Sequence, residues 1–362
     1  FILKDWDFAR RLRLAKSETY WDRANVKLNS VEMVVAENPQ SQLLMYETGV
    51  VDWHADVPCD QAAEMKGRAD LHTSIAFGTN FLTFLCSEKL PASLGGGPNP
   101  LHDVRVRQAL AMSVDKNYIV RTVTRMGELP ARSYIPPDGT LPEFVWRPGI
   151  FDVARKQPYT FEDLKKRLAA TDGLTGEGPG LPYNPGRARE LLAEVGFPGG
   201  KGFPAQPILY NTGNVTRRQI AQVVQEQWRK ELGIDLPIRG VEGKIFQPQV
   251  TNKDYFIATV AWYGDYPDIS TFTDKYKSDS LQNDSNWMNK AFDDLCRQAE
   301  ETTDAAKRAD LLSQAEHLID TEAPILPLYH YVNINLSRPT VHGVLPNPRN
   351  ITIFKDVWVE KK

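Results

Sequence analysis

Tyr255-Phe-Ile-Ala-Thr-Val-Ala-Trp-Tyr-Gly-Asp-Tyr-Pro-Asp-Ile-Ser-Thr-Phe272 is the stretch from which the fold can be read. Its first part, Tyr255 to Trp262, is aromatic, β-branched or small and carries no charge, as a strand does when both of its faces are covered. Such a strand belongs in the middle of a sheet. Tyr263, Gly264, Asp265, Tyr266, Pro267 and Asp268 follow at once, crowding aromatic faces, a glycine backbone and two carboxylates at the strand's end. Open α/β sheets take their ligands just beyond strand ends. Asp268 reads as the N-cap of a helix beginning near Ile269. Asp265 has no apolar helical run three residues on, so capping does not explain it, and it stands as a candidate ligand contact.

Upstream of this strand, Pro207 to Tyr210 reads as a strand and Arg217 to Leu232 as a helix with Ile220, Val223, Val224 and Trp228 on one face. Ile234 to Ile238 reads as a further strand. This is a parallel strand-helix-strand unit, expected in the same sheet as Tyr255 to Trp262. Asn184-Pro185 opens an earlier helix carrying Leu191, Leu192 and Val195, which Gly196 ends. Asp103 caps a helix with Val106, Ala109, Leu110 and Val114 at helical spacing, Arg105 and Arg107 being expected outward or towards carboxylates. Asp115 begins another with Ile119, Val120 and Val123. Downstream, helices at about Asn286 to Ala299 and Asp304 to Ile319 precede a very apolar strand, Pro324 to Val332. A tail rich in Pro and Asn from Pro339 leads to a last strand, Ile351 to Val359.

Nearer the N-terminus, Phe8 to Lys16 and Ser30 to Ala36 alternate as half-exposed strands do. A helix from about Pro39 to Glu47 is closed by Gly49. Val50 to Trp53 reads as a short strand running into His54-Ala-Asp-Val-Pro58, and Leu71 to Leu85 as one or two core strands. Leu90 to Pro100 is a surface loop. From Pro136 to Pro182 the composition shifts to Pro, Gly and charge, apart from an amphipathic piece at Thr160 to Leu168, as in a long, partly ordered insertion.

With 362 residues, 41% hydrophobic and 25% charged, the chain can bury a large core and form two domains. A net charge of -3 and an isoelectric point near 6.1 give no electrostatic reason for a nucleic acid or anionic membrane partner. Cys59, Cys86 and Cys296 are far apart and form neither a disulfide framework nor a zinc site. The N-terminus, Phe1-Ile-Leu-Lys-Asp-Trp6, has no initiator methionine and no signal-peptide layout, so the chain is expected to start within a longer polypeptide. No phosphate loop, dinucleotide fingerprint, zincin motif or nucleophile elbow occurs, and no cofactor or metal is expected. Asp265 and Asp268 form a candidate acid/base carboxylate pair of the glycosidase kind, although two aspartates three residues apart on a turn are common.

Several segments together resemble the family 5 extracellular solute-binding proteins, the oligopeptide and dipeptide receptors of ABC importers. They are Asp103-Val-Arg-Val-Arg-Gln-Ala-Leu110 with Asp115, Tyr183-Asn-Pro with Ala188 and Leu191-Leu192 through Gly196-Phe197, Gly233-Ile234, Trp262-Tyr-Gly-Asp265, and Pro327-Leu-Tyr-His-Tyr331. The resemblance implies an α/β fold of the periplasmic-binding-protein type II, with two lobes joined by hinge strands and a small extra domain. It implies that residues 1–77 with 333–362 form part of the first lobe and 78–332 the second, the rest of the first lobe and the extra domain being absent from this chain.

By the same resemblance, Asp265 meets a peptide's α-amino group and the backbone of Trp262, Tyr263 and Gly264 pairs with an extended peptide. Trp53, His54, Asn80, Phe81, Tyr331 and Asn333 fall in segments that face the interlobe cleft. Arginines that meet a peptide carboxylate just before this strand in some receptors are missing from Val250 to Thr259. The implied function is capture of peptides outside the cytoplasm, in the periplasm or at the cell surface, and delivery to a membrane permease, without catalysis. The alternatives are a receptor of the same fold for sugars, opines or metal chelates, with Trp53, Trp262 and Tyr263 stacking on rings, or a glycosidase-like enzyme using Asp265 and Asp268.

Overall fold

The computed structural model describes residues 1–36, 38–55, 57, 59–136, 151–152, 157–158, 180–344 and 351–360. Most of the Pro/Gly-rich stretch 136–182, including Thr160 to Leu168, lies outside them, as do Asp56 and Pro58. The chain divides into two compact units, Phe1–Ala76 with Val332–Lys362 and Phe77–Tyr331.

The first unit begins with an antiparallel sheet of β1 (Ile2–Asp7), β2 (Arg11–Ala15) and β3 (Ser30–Val34). The first of these has no alternation of apolar and polar residues, which is why the sequence does not reveal it. Every residue of β1 is exposed. Helix α1 (Pro39–Glu47) starts where the Asn38 side chain accepts the Gln40 N–H at 2.8 Å, and Pro39 at its first turn forfeits no internal bond. The strand expected at Val50 to Trp53 shrinks to β4 (Trp53–His54), whose only register is with Leu336 and Ser337. Helix α2 (Cys59–Glu64) follows, and β5 (Leu71–Phe84) then runs from this unit into the second as one continuous strand.

In the second unit, Asp103 caps α3 (Val104–Met112) and Asp115 caps α4 (Lys116–Ile119), each by accepting a backbone N–H. Arg107 corrects an expectation: it is buried, and its guanidinium donates to the carbonyls of Leu101, His102 and Glu322 rather than facing outward or meeting a carboxylate. Short strands β6 (Leu129–Pro130), β7 (Phe151–Asp152) and β8 (Gln157–Pro158) precede α5 (Pro185–Glu194) and β9 (Ile208–Asn211). Then come α6 (Val215–Leu232), β10 (Ile238–Val241), α7 (Gly243–Thr251) and β11 (Ile257–Tyr263). Strand β10 begins where the expected strand ends. Ile234 and Leu236 are buried as lead-in, and Pro237 has no N–H to give a ladder. Last come α8 (Ser270–Thr273), α9 (Lys290–Glu301), α10 (Ala305–Glu322) and β12 (Ile325–Ser337), which returns to the first unit.

The main sheet of this unit has the order β10-β9-β11-β5-β12, with β6 added to β12. Strands β10 and β11 are parallel to β9, while β5 is antiparallel to β11. Tyr255 to Trp262 and the strand-helix-strand unit before it do share one sheet, with β11 in its interior. Two cores cover its faces. One gathers Ile220, Val224 and Trp228 of α6 with α3 and α5, and the other gathers Phe246 and Val250 of α7 with α9 and α10. Trp228 is fully buried and donates its indole N–H to the Leu110 carbonyl at 2.9 Å, so its polar atom is satisfied along with its apolar surface.

In the returning segment, only β13 (Val341–His342) and β14 (Trp358–Val359) pair. The last strand expected at Ile351 to Val359 is thus confined to its final residues. Ile351 and Ile353 are exposed.

Candidate functional site

The ladder between β11 and β5 dictates which way the β11 backbone points. Gly264 donates its N–H to Phe77 at 2.8 Å, and Leu85 donates to Phe256 at 3.1 Å, so even-numbered residues of β11 face β5. Alternation turns the peptide groups of Thr259 and Ala261 to the opposite edge. There β9 pairs with β11 only through Ile257 and Ala258, and its next residues pair with β10 alone. Past Ala258, no described strand covers that edge of β11. An extended segment of another molecule can add there as a strand.

The residues after β11 are held firmly. Thr271 binds the turn three times: its Oγ1 accepts the Asp265 N–H at 3.0 Å, its carbonyl accepts the Trp262 indole N–H at 2.9 Å, and the methyl lies against Gly264. Gly264 is required by space. A Cβ there would lie 2.1 Å from the ring of Phe77, which is itself packed edge-on to Phe272 at 4.9 Å. Gly78 has the same role opposite Tyr263, whose ring occupies the place a Cβ would take, at 2.6 Å. The Tyr263 ring stacks on Tyr331 with centroids 4.8 Å apart.

The two carboxylates differ sharply. Asp268 accepts the Ser270 N–H at 2.7 Å and an Arg308 N–H at 2.8 Å, so it starts α8 and carries an ion pair. Burial works to raise its pKa, but the bonds from Arg308 and Ser270 outweigh that and hold it below the usual carboxylate range. A general acid must keep its proton near neutral pH, so Asp268 does not fit that role. The Asp265 side chain is exposed and, among the described residues, has neither a hydrogen bond nor an ion pair. Its backbone is fixed and its charge is unspent.

Around it, Trp262 is half-buried with the Lys275 ammonium 5.1 Å from its ring centroid, so its side chain is committed to the protein and only its backbone serves a ligand. Lys275 is itself buried against Asp284 at 2.9 Å. Asn80 is 1% exposed and donates to the Tyr331 hydroxyl at 2.9 Å, while its Oδ1 has no partner. Phe81 corrects an expectation. It alternates onto the opposite face from Asn80, is fully buried, and packs on Tyr134 at 5.5 Å, so it has no surface to offer a ligand. Asp265, Trp262, Tyr263, Gly264, Asn80 and Tyr331 thus belong to the second unit.

The other three candidates lie in the first unit. Trp53 is half-buried with its ring edge-on to Phe354 at 6.4 Å, His54 is buried in the strand pair with Leu336, and Asn333 donates to the Ile75 carbonyl at 3.4 Å. Sequence reasoning missed Arg217, in the first turn of α6, which reaches the Thr259 carbonyl at 3.5 Å. No pattern marks it, because its position depends on where β9 ends relative to β11.

Comparison with known proteins places this fold in a class. The sequence profile of the bacterial extracellular solute-binding proteins, family 5, matches residues 1–284, and the chain belongs to that family. Oligopeptide-binding protein OppA of Bacillus subtilis is 28% identical over 99% of this chain and 60% of its own length. Periplasmic oligopeptide-binding protein OppA of Salmonella typhimurium is 27% identical over 100% of the chain and likewise 60% of its length. The crystal structure of Haemophilus influenzae OppA in complex with RPPGFSPFR superposes with a TM-score of 0.74 at 22% identity, covering 99% of this chain and 64% of that one. The fold is therefore the mixed α/β fold of periplasmic peptide-binding proteins, and the chain spans about 60% of the length of the relatives it matches.

Proposed function

We propose that the protein is an exported receptor, in the periplasm or at the cell surface, that captures peptides and delivers them to the permease of an ABC importer. In this reading the two compact units are its two lobes, 1–77 with 333–362 and 78–332, and no step of catalysis is involved. The observation that carries it is the uncovered edge of β11 leading into an unpaired Asp265. An extended peptide would add to Thr259 and Ala261 as a strand, and its α-ammonium would meet the carboxylate at the end. The names of the Bacillus and Salmonella relatives support the same ligand class. The sugar reading is weaker because Trp262, the ring it needs most, is held by Thr271 and Lys275.

The test is Asp265→Asn, which keeps the shape and removes the charge. If the bound peptide excludes water from the pair, leaving its cation unpaired costs about 2–5 kcal/mol. That is roughly 30-fold to several-thousand-fold in affinity. By calorimetry, the wild type should prefer a free-amine peptide over its N-acetylated form, and the variant should lose that preference. Equal affinity of wild type and variant for the free-amine peptide would sink the assignment.

A further inference from the structure

Strand β11 ends on Tyr263, whose partner in register on β5 is Gly78. The Tyr263 ring lies down over that glycine, where a Cβ would meet Cδ1 at 2.6 Å and Cε1 at 2.9 Å. The φ of Gly78 is not positive, so space rather than backbone conformation asks for glycine there. One strand further on, Tyr331 of β12 stacks against the ring with the two planes 22° apart. Tyr331 is itself braced. Its hydroxyl accepts an N–H of the Asn80 amide at 2.9 Å and its ring meets Tyr329 edge-on at 5.2 Å, Asn80 being 1% and Tyr329 3% exposed. The Tyr263 ring therefore has a close-packed backing that cannot yield without breaking a hydrogen bond in a buried place. The order β9-β11-β5-β12 puts this backing on the side of β11 away from β9. The other face of the ring looks back across β11 towards the edge that β9 leaves uncovered past Ala258. Tyr263 is 49% exposed, as fits an aromatic side chain with one face covered.

We propose that the Tyr263 ring is a fixed wall for the side chain of the ligand's first residue, so that the receptor selects peptides that begin with a large flat apolar residue. This rests on the peptide-receptor reading. Gly264 turns its N–H to β5, so the peptide groups of Tyr263, like those of Thr259 and Ala261, turn to the open edge. A ligand running antiparallel to β11 with its ammonium at Asp265 sets its first residue opposite Tyr263. Residues directly opposite each other send their side chains to the same face, with Cβ atoms about 4.5–5.5 Å apart. The first side chain of the ligand thus rises beside the ring and meets its outer face. The third falls opposite Ala261, whose methyl gives it little to grip, so discrimination concentrates at the first position. Tyr331, Asn80 and Gly78 act through Tyr263 as positioning residues: two hold the ring from behind, and the glycine leaves the room in which it lies.

The experiment is calorimetry on the full-length protein with free-amine tetrapeptides of alanine whose first residue is Phe, Leu or Ser, and a fourth with Phe in third place. Wild type should bind the Phe-first peptide about 10- to 100-fold more tightly than the Ser-first one. Phe in third place should gain little over Ser in first. Tyr263→Phe should keep the preference, and Tyr263→Ser should bring the Phe-to-Ser ratio within about threefold. Tyr263→Leu keeps apolar bulk without the flat face and decides the matter where the Ser variant does not fold: it should bind Phe-first and Leu-first peptides alike, while wild type favours Phe. A merely structural tyrosine would weaken all four peptides by one factor, and that result overturns the proposal. Wild type that binds the Phe-first and Ser-first peptides equally while still rejecting an N-acetylated one also overturns it and leaves the Asp265 reading standing. Failure of wild type to bind any of the peptides removes both.

Discussion

Removing the Asp284 carboxylate should undo the support beneath the site. Asp284 accepts the Lys275 ammonium at 2.9 Å on one oxygen and the Thr83 and Tyr276 hydroxyls at 3.2 and 3.3 Å on the other. Its backbone carbonyl takes the Tyr255 hydroxyl at 2.7 Å. The side chains of Lys275 and Asp284 are 5% and 10% exposed, so neither charge can turn to water. In Asp284→Ala the ammonium keeps, among the described residues, the Gln282 carbonyl and the faces of Trp262 and Tyr276. Breaking a buried pair from one side costs about 3–5 kcal/mol. For a unit of this size that lowers the melting temperature by about 6–20 °C. Adding Lys275→Met removes the stranded charge and should recover at least half of the loss, giving a positive coupling in a double-mutant cycle of denaturant titrations. A single-variant loss below about 1 kcal/mol, or strict additivity, would show that water reaches the pair and that the reasoning fails.

Gly264→Ala should destabilise the second unit by about 1–3 kcal/mol, because the Phe77 ring it meets is packed and cannot swing clear. Peptide affinity should fall with it, and an unchanged melting temperature would refute the close-approach argument. Asp70 sits in the grip of the Arg68 guanidinium at 2.7 and 2.9 Å, with the Tyr46 hydroxyl at 2.9 Å, and the Arg68 bonds foremost bring its pKa down to about 2 from 3.8. A depressed carboxylate contributes stability that is present above its unfolded pKa and lost as pH falls through the folded one, so the loss lies between about pH 4 and pH 2. Asp70→Asn should flatten that part of the acid limb in a stability-versus-pH series, and an unchanged limb would count against the ion pair.

The interior strand β11 was legible because its residues satisfy burial on both faces, and the helices because caps such as Asp103 and Asp115 precede apolar spacing. Both signals are local. What failed was non-local. A fully buried run such as Phe77 to Phe84 cannot say which alternate residues face a ligand, so Phe81 and Asn80 looked equivalent until the two faces were separated. Arg107 looked like a surface residue of its helix and became a buried brace because three carbonyls from elsewhere converge on it. Strand ends moved wherever pairing rather than propensity decides, as at Pro237 and at Ile351. Asp265 was read from what it lacked, a helix to cap. Arg217 had no such clue, since its reach to Thr259 is visible only once its neighbours are placed.

The first unit is made of two pieces of chain, and the second is one uninterrupted run between them. Val57, Asp52 and Asp70 bond to Ile334, Arg338 and Ser337, so this part of the earlier piece finds these partners only after the whole intervening run. For a disordered chain, closing a loop of about 250 residues costs about 5 kcal/mol of entropy. Once the second unit has folded, β5 and β12 are neighbours in its sheet, and the loop is already closed. To the first unit, the second therefore acts as a cross-link. The dependence runs one way: damage to the second unit should loosen the first, while the second can assemble with the outer pieces still unpaired. A growing chain makes the same demand in time, since β4 must wait for its partner until Leu336 and Ser337 emerge.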